Sequence, residues 1–236
     1  MLQPMLYCKN ATQQGIPLTF SPAVLYRGLT VSVTNMGILT GLQFPLTGAV
    51  DKAIKGGEER EMSSAEKMGA GFTGGAISGL VCAPMELVMI QQQRFGTSLA
   101  AAASRILSEQ GPLGLSRGLV TACGREGLFT AGYLAMGPVF AQKVKDSGNL
   151  EGGAADFAGA AGAGVIAASL SHPLDTIKTC MQGDLQRETY TTLQGTASKL
   201  HAEAGLGAFF RGFGWRTSRM ILAIFVIGKV RRRVLC

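Results

Sequence analysis

The chain has 236 residues, 47% of them hydrophobic and 16% charged, a charged share well under the roughly 25% usual in soluble domains. The formal net charge is +7, yet the basic residues are scattered beside apolar segments with few aromatics between them, which argues against a nucleic-acid groove. Cys8, Cys82, Cys123, Cys180 and Cys236 form no C-x-x-C pair, which excludes a disulfide framework or a zinc site and leaves small buried thiols.

The first ten residues carry no basic run followed by an apolar core, so no secretory or transit signal is expected there. From Leu29 to Val50 no charge occurs, between Arg27 and Asp51. As a helix that stretch reaches about 33 Å at about 1.5 Å per residue, enough to cross a bilayer core. Uncharged runs follow at Met68 to Met85, Gly127 to Gln142 and Phe157 to Leu174. The last apolar segment, Gly212 to Arg233, keeps Arg216 and Arg219 in its first half, where a charge must face a polar interior. Glycines cluster inside these stretches, as close helix packing in lipid requires. Between them, Leu99 to Glu109 and Leu193 to Ala204 read as short amphipathic surface helices ended by Gly111 and Gly205.

Two motifs repeat. Tyr26-Arg27-Gly28, Ser116-Arg117-Gly118 and Phe210-Arg211-Gly212 each open an apolar segment, with arginine spacings of 117 − 27 = 90 and 211 − 117 = 94. Pro84-Met85-Glu86 and Pro173-Leu174-Asp175 lie 173 − 84 = 89 residues apart at the ends of Gly/Ala-rich helices, and Gln93 and Gln182 follow each acid by seven residues. Gly71, Gly75 and Gly79 meet Ala160, Gly164 and Ala168 at the same offset. Repetition of several features at one period marks a tandem-repeat architecture.

The motifs P-x-[DE]-x-x-[KR] and [FWY]-[KR]-G at this period resemble those of the mitochondrial carrier family over nearly the whole chain. The resemblance implies an all-α membrane protein, a carrier bundle of tandem repeats of about 90 to 100 residues around a water-filled cavity that opens alternately to the two sides. Five of its six transmembrane helices are expected: residues 1–60 as a partial first repeat with helix 2 only, 61–150 as the second and 151–236 as the third. Met1-Leu2-Gln3 reads as the tail of a lost proline-acid motif, so helix 1 is expected to be missing from this sequence, either encoded upstream of Met1 or genuinely lost.

In that family the acid of each odd helix pairs with the base of the next at a matrix gate. The resemblance assigns Pro84, Glu86 and Gln93, and Pro173, Asp175, Lys178 and Gln182, to that gate. Met89 stands where a base belongs, so Glu86 with Lys178 is the one pair expected, and Asp175 is left without the helix 1 base. The alternative for the three charges is ordinary helix ends at the lipid interface. The gate motif of the opposite side falls near Gly137-Pro138 and Arg231-Arg232 and is not visible.

Eight residues beyond each Arg of the Arg-Gly pairs stand Asn35, Arg125 and Arg219, polar residues at one level of a cavity. Arg125 is followed by Glu126, similar to the pair at this place in amino-acid carriers, and a zwitterion needs such a cation and anion. The competing reading is a self-neutralising structural pair. Arg216, three residues before Arg219 and on the same face, suits either substrate or its neighbours' carbonyls and acids; Gln43 suits either the cavity or an interhelical bond. Gly111, Arg117, Gly118, Gly205, Arg211 and Gly212 resemble the cardiolipin-binding positions, where helix amides meet phosphate; helix-ending turns explain the glycines equally well. No cofactor is expected beyond that structural lipid, and His172 and His201 stand alone, with no catalytic or metal cluster.

The expected function is a multi-pass solute carrier or exchanger of the mitochondrial inner membrane, not an enzyme. It acts as a monomer on small metabolites, most readily amino acids or related carboxylates, with membrane lipid and no nucleic acid as partner. The alternatives are a nucleotide or cofactor carrier, or a transport-inactive membrane adaptor.

Overall fold

A computed structural model describes residues 2–56, 58, 60–146 and 152–234, all helix and connections with no strand among them. Its helices are α1 (Gln3–Gln14), α2 (Pro22–Leu25), α3 (Leu29–Lys55), α4 (Ser64–Phe95), α5 (Leu99–Gln110), α6 (Leu119–Asp146), α7 (Gly152–Gly183), α8 (Leu193–Ala204) and α9 (Phe213–Val234). Helices α3, α4, α6, α7 and α9 have 27, 32, 28, 32 and 22 residues, each at least about 33 Å long at about 1.5 Å per residue. The segments Ser64–Phe95 and Phe157–Gly183 reach mean hydropathies of 1.5 and 1.2, and large apolar side chains such as Val33, Phe44, Val81, Val120 and Leu170 face outward.

The long helices pack in ring order: α3 on α4, α4 on α6, α6 on α7 and α7 on α9, and α1 closes the ring against α9, α7 and α4. Local chemistry sets the ends. Ser63 Oγ accepts from the Glu66 amide while the Glu66 carboxylate accepts from the Ser63 amide, a capping box that starts α4. Ser98 and Thr192 cap α5 and α8 in the same way with one bond each. Pro84 and Pro173 do not end their helices as their sequence position suggested. Both lie inside continuous helices that run on to Phe95 and Gly183, because tertiary packing of the following turns outweighs the lost backbone donor.

With α1, α4 and α7 counted as the odd helices of the three repeats and α3, α6 and α9 as the even ones, each even helix starts the same way. Gly28, Gly118 and Gly212 have φ of 73°, 74° and 75°, a left-handed conformation that glycine adopts without a Cβ penalty. Each also lies against an odd helix of the next repeat: Gly28 against Met89, Gly118 against Gln182 and Lys178, Gly212 against Lys9.

That last contact corrects the expectation for the first repeat. A helix is present there: α1 is 12 residues long, too short to cross the bilayer core, but placed as the end of an odd helix. Pro4, Lys9 and Gln13 occupy the proline, base and glutamine positions of the gate motif, with Leu6 in place of the acid; Met1-Leu2-Gln3 precede the motif and are not its tail.

Close approach of α4 to α6 depends on Gly75, where a Cβ would sit 2.6 Å from the Glu126 carbonyl oxygen and 2.7 Å from Thr130 Oγ1. Gly75→Val is expected to force the two helices apart and to lower the melting temperature of the purified protein by several degrees. Gly48→Ala, where nothing lies within 4 Å, is expected to leave it nearly unchanged; equal effects would show that the contact does not govern packing.

Candidate functional site

At one end of the bundle the charged side chains of five helices, α1, α4, α6, α7 and α9, converge in a buried cluster. Lys178 Nζ on α7 donates to Glu86 Oε2 on α4 at 2.8 Å, the pair expected from the motif register. Arg125 on α6 donates to Glu86 Oε1 at 2.8 Å and pairs with its neighbour Glu126 at 2.6 Å. Asp175, 1% exposed, does have a base from the first repeat: Lys9 Nζ donates to its Oδ2 at 2.7 Å. Gln13 Nε2 donates to the same oxygen at 3.0 Å. Arg125, Arg216 and Lys178 approach Asp175 at 3.6, 3.6 and 3.7 Å. The expectation that Glu86 and Lys178 form the lone gate pair, with Asp175 stranded, is therefore corrected.

The glutamines seven residues past each acid brace this cluster. Gln93 Oε1 accepts from Asn10 Nδ2 at 2.6 Å. Gln182 Nε2 donates to the Arg117 carbonyl at 3.2 Å and the Ala83 carbonyl at 3.4 Å, joining α7 to the start of α6 and to α4. Gln91, which the repeat register did not single out, donates to the Gln182 carbonyl at 2.6 Å.

The predicted substrate residues divide. Arg216 Nη2 donates to Ser171 Oγ at 2.8 Å, and Nη1 stands 3.4 Å from His172 Nδ1. Because guanidinium only donates, Nδ1 must accept, the ring proton sits on Nε2, and Nε2 donates to the Arg211 carbonyl at 3.1 Å. Arg216 and His172 thus form a brace between α7 and α9. Arg219, half-buried one turn on, has no hydrogen bond or ion pair among the described residues, although it interacts electrostatically with Asp175, Arg125, Glu86 and Glu126. Asn35 is buried with its Oδ1 unpartnered. Gln43 donates to Thr130 Oγ1, the interhelical bond rather than the cavity.

Arg117 was expected to face lipid phosphate, but its guanidinium is engaged by carbonyls. It donates to Met181 at 2.6 Å, Asp184 at 2.9 Å and Thr191 at 3.4 Å, and also to Tyr190. Beside it the Asp184 carboxylate accepts the amides of Glu188, Thr189 and Tyr190. Burial alone would raise the Asp184 pKa; these amides and Arg117 outweigh it and hold the carboxyl below the usual range. Arg211 pairs with Glu203 at 2.9 Å. Gly118 and Gly212 have their Cα faces against α7 and α1, while Gly111 and Gly205 open onto free space at the ends of α5 and α8. A groove of about 290 Å³ runs along Arg117, Gly118, Thr121, Arg187 and Thr191. The side chains near Gly137-Pro138 and Arg231-Arg232 lie outside the described residues.

A repeated helical bundle with a buried ring of charge across the ends of its odd helices is the architecture of a membrane carrier, not of an enzyme. The mitochondrial carrier protein family matches residues 60–146 and 151–227. The chain is 28% identical over 82% of its length to the mitochondrial glycine transporter YMC1 of Saccharomyces cerevisiae, and covers 68% of that protein. It is 28% identical over 80% of its length to the mitochondrial dicarboxylate/tricarboxylate transporter DTC of Arabidopsis thaliana, covering 68% of it. Against the human electrogenic aspartate/glutamate antiporter SLC25A12 it is 29% identical over 83% of its length and covers 29% of that longer protein. This chain belongs to the mitochondrial carrier family, multi-pass proteins of the mitochondrial inner membrane.

A double-mutant cycle on Lys9→Gln and Asp175→Asn is expected to give a coupling of about 1–3 kcal/mol in thermal stability, because Asp175→Asn strands the buried Lys9, whose acidic partner among the described residues is Asp175. The same cycle on Glu86→Gln and Lys178→Gln is expected to be smaller, since Arg125 remains to compensate Glu86. Additive effects at Lys9 and Asp175 would show that α1 does not complete the ring.

Proposed function

We propose that the chain transports small carboxylated metabolites, amino acids among them, across the inner membrane by alternating access. The observation that carries this reading is an excess of positive charge in the buried cluster. Lys9, Arg125, Lys178, Arg216 and Arg219 supply five cations against three anions, Glu86, Glu126 and Asp175, a surplus of 5 − 3 = 2. Four of the cations have an acid within 4 Å; among the described residues Arg219 has no such ion pair and meets Asp175, Glu86 and Glu126 only at longer range. A half-buried cation with no direct ion pair is stabilised by an arriving carboxylate, which gains charge-assisted hydrogen bonds in return. Arg219 is thus the substrate cation, and Arg125 a second one that must first loosen its hold on Glu86 or Glu126. For an ammonium group, Glu126 is the anion and the unpartnered Asn35 Oδ1 a further acceptor. The names of the relatives, which cover glycine, di- and tricarboxylates and aspartate/glutamate, support a carboxylate as the shared feature. The groove along Arg117 and Gly118 is the place proposed for a structural cardiolipin, with the amides at the start of α6 and not the occupied Arg117 guanidinium as its phosphate donors.

The test is uptake into proteoliposomes of labelled glycine, glutamate, malate and ATP by the protein and its variants. Arg219→Ala is expected to slow uptake of every carboxylate probe by about ten- to a hundredfold, the loss of one charge-assisted bond of about 1.5–3 kcal/mol. Glu126→Gln is expected to impair glycine and glutamate while sparing malate. Transport of ATP alone would overturn the assignment in favour of a nucleotide carrier, and no uptake of any probe would favour the adaptor.

A further inference from the structure

The gate ring has three seams between repeats, and two carry ion pairs: Glu86 with Lys178 between α4 and α7, and Asp175 with Lys9 between α7 and α1. At the third, between α1 and α4, the acid position holds Leu6 and the base position holds Met89. These two belong to one buried apolar cluster with Val31 at the start of α3, and Met85 packs against it. Leu6 is 8% and Met89 6% exposed. One turn further on, the same seam is joined by a neutral amide pair, Asn10 Nδ2 to Gln93 Oε1 at 2.6 Å.

We propose that Leu6 and Met89 are the third gate pair of this chain, an apolar contact in place of an ion pair, so that the α1/α4 seam parts without separating charges. Both positions depart from the acid and base of the motif. Loss of the acid alone would have left a base without its partner at a buried site, and loss of the base alone the reverse, each a costly arrangement; replacement of both by packed apolar side chains is close to neutral. The remaining charges of the ring still balance, two acids against Lys9 and Lys178. Separating a buried ion pair requires each charge to find water or a new partner, whereas separating two apolar side chains exposes only their own surface. Of the three seams, this one therefore resists opening least and is where the gate yields first. Met89 also lies against Gly28, whose Cβ would fall 3.1 Å from Met89 Cγ, so movement at this seam is felt directly at the start of α3.

The gating role rests on the transport reading above; the contact itself does not. The experiment combines Leu6→Glu and Met89→Lys in the full chain, singly and together. Each single variant places an unpaired charge in the cluster and is expected to lower the melting temperature in detergent by several degrees, while the double variant recovers at least the unsubstituted value. In proteoliposomes, uptake by the double variant of the probe shown to be carried is expected to slow by at least about threefold, a barrier rise near 0.6 kcal/mol, since every cycle must then break a third ion pair. Met89→Leu, which keeps the seam apolar, is expected to transport at the unsubstituted rate and serves if the charged singles do not fold. Additive losses of stability in the double variant would overturn the pairing. Recovered stability with unchanged uptake would overturn the gating role, and so would slow uptake by Met89→Leu. If no probe is taken up, the transport reading fails and the thermal cycle alone decides the contact.

Discussion

The Asp175 carboxylate is the point on which the closed end of the bundle depends. It lies on α7, almost wholly buried, with Lys9 from α1, Arg125 from α6, Arg216 from α9 and Lys178 from its own helix all within 4 Å. One anion thus holds cations from three other helices, two of which, α1 and α9, are the last to close the ring. Without that anion, Lys9 and Arg216 would lose the acid they pair with, while Arg125 and Lys178 would keep Glu86 and Glu126, so two buried cations would be stranded beside two others, a greater cost than the loss of a single bond. The surrounding polar groups serve this centre: Gln13 donates to the same Oδ2 that Lys9 occupies, and His172 and Ser171 hold Arg216 in reach.

Around Asp175 the backbone repeats a single joint three times. In each, a left-handed glycine at the start of an even helix fits against the base position of the following odd helix: Gly28 on Met89, Gly118 on Lys178 and Gln182, Gly212 on Lys9. A side chain at any of these glycines would push the gate position away from its partner. The Arg-Gly dipeptides are therefore part of the gate's geometry, with the arginines varying in use. Arg117 fastens the turn after α7 by its carbonyls, and Arg211 pairs with Glu203 and offers its own carbonyl to His172.

The transmembrane helices were legible because Leu29 to Val50 is uncharged over the thickness of a bilayer core and Met68 to Met85, Gly127 to Gln142 and Phe157 to Leu174 over nearly as much, and the Glu86–Lys178 pair because the second repeat keeps its acid and the third its base. The first repeat was not legible, for a specific reason. From the gate glutamine to the Arg of Arg-Gly is 117 − 93 = 24 residues in the second repeat and 211 − 182 = 29 in the third, but 27 − 13 = 14 in the first. There the four-residue α2 replaces the 12-residue surface helices α5 and α8. An offset of about 90 from Pro84 therefore falls before the start of the chain, while Pro4, Lys9 and Gln13 stand only 80 residues from Pro84, Met89 and Gln93. The missing acid at Leu6 removed the other cue. What sequence spacing alone also left open was the division of labour between Arg216 and Arg219. Both lie on one face of one helix, and only the positions of Ser171, His172 and Asp175 show that the first is engaged and the second is not.

Arg125 joins the site to the gate. Its guanidinium holds Glu86, the acid of the odd-helix motif, and Glu126, the anion proposed for a substrate ammonium, at 2.8 and 2.6 Å. A guanidinium has a fixed set of donors in one plane, so a substrate carboxylate that engages Arg125 takes donors from one acid or the other. If Glu86 gives way, it is left with Lys178 alone, and the α4/α7 seam loses one of its two cations. If Glu126 gives way, it is freed to meet an ammonium. An amino acid can draw both effects at once from a single arginine, because its carboxylate loosens the gate while its ammonium compensates the acid released. A simple carboxylate offers no such compensation and must rely on the surplus at Arg219. On the proposed function, the same side chains would both select the ligand and couple its arrival to the opening of the ring.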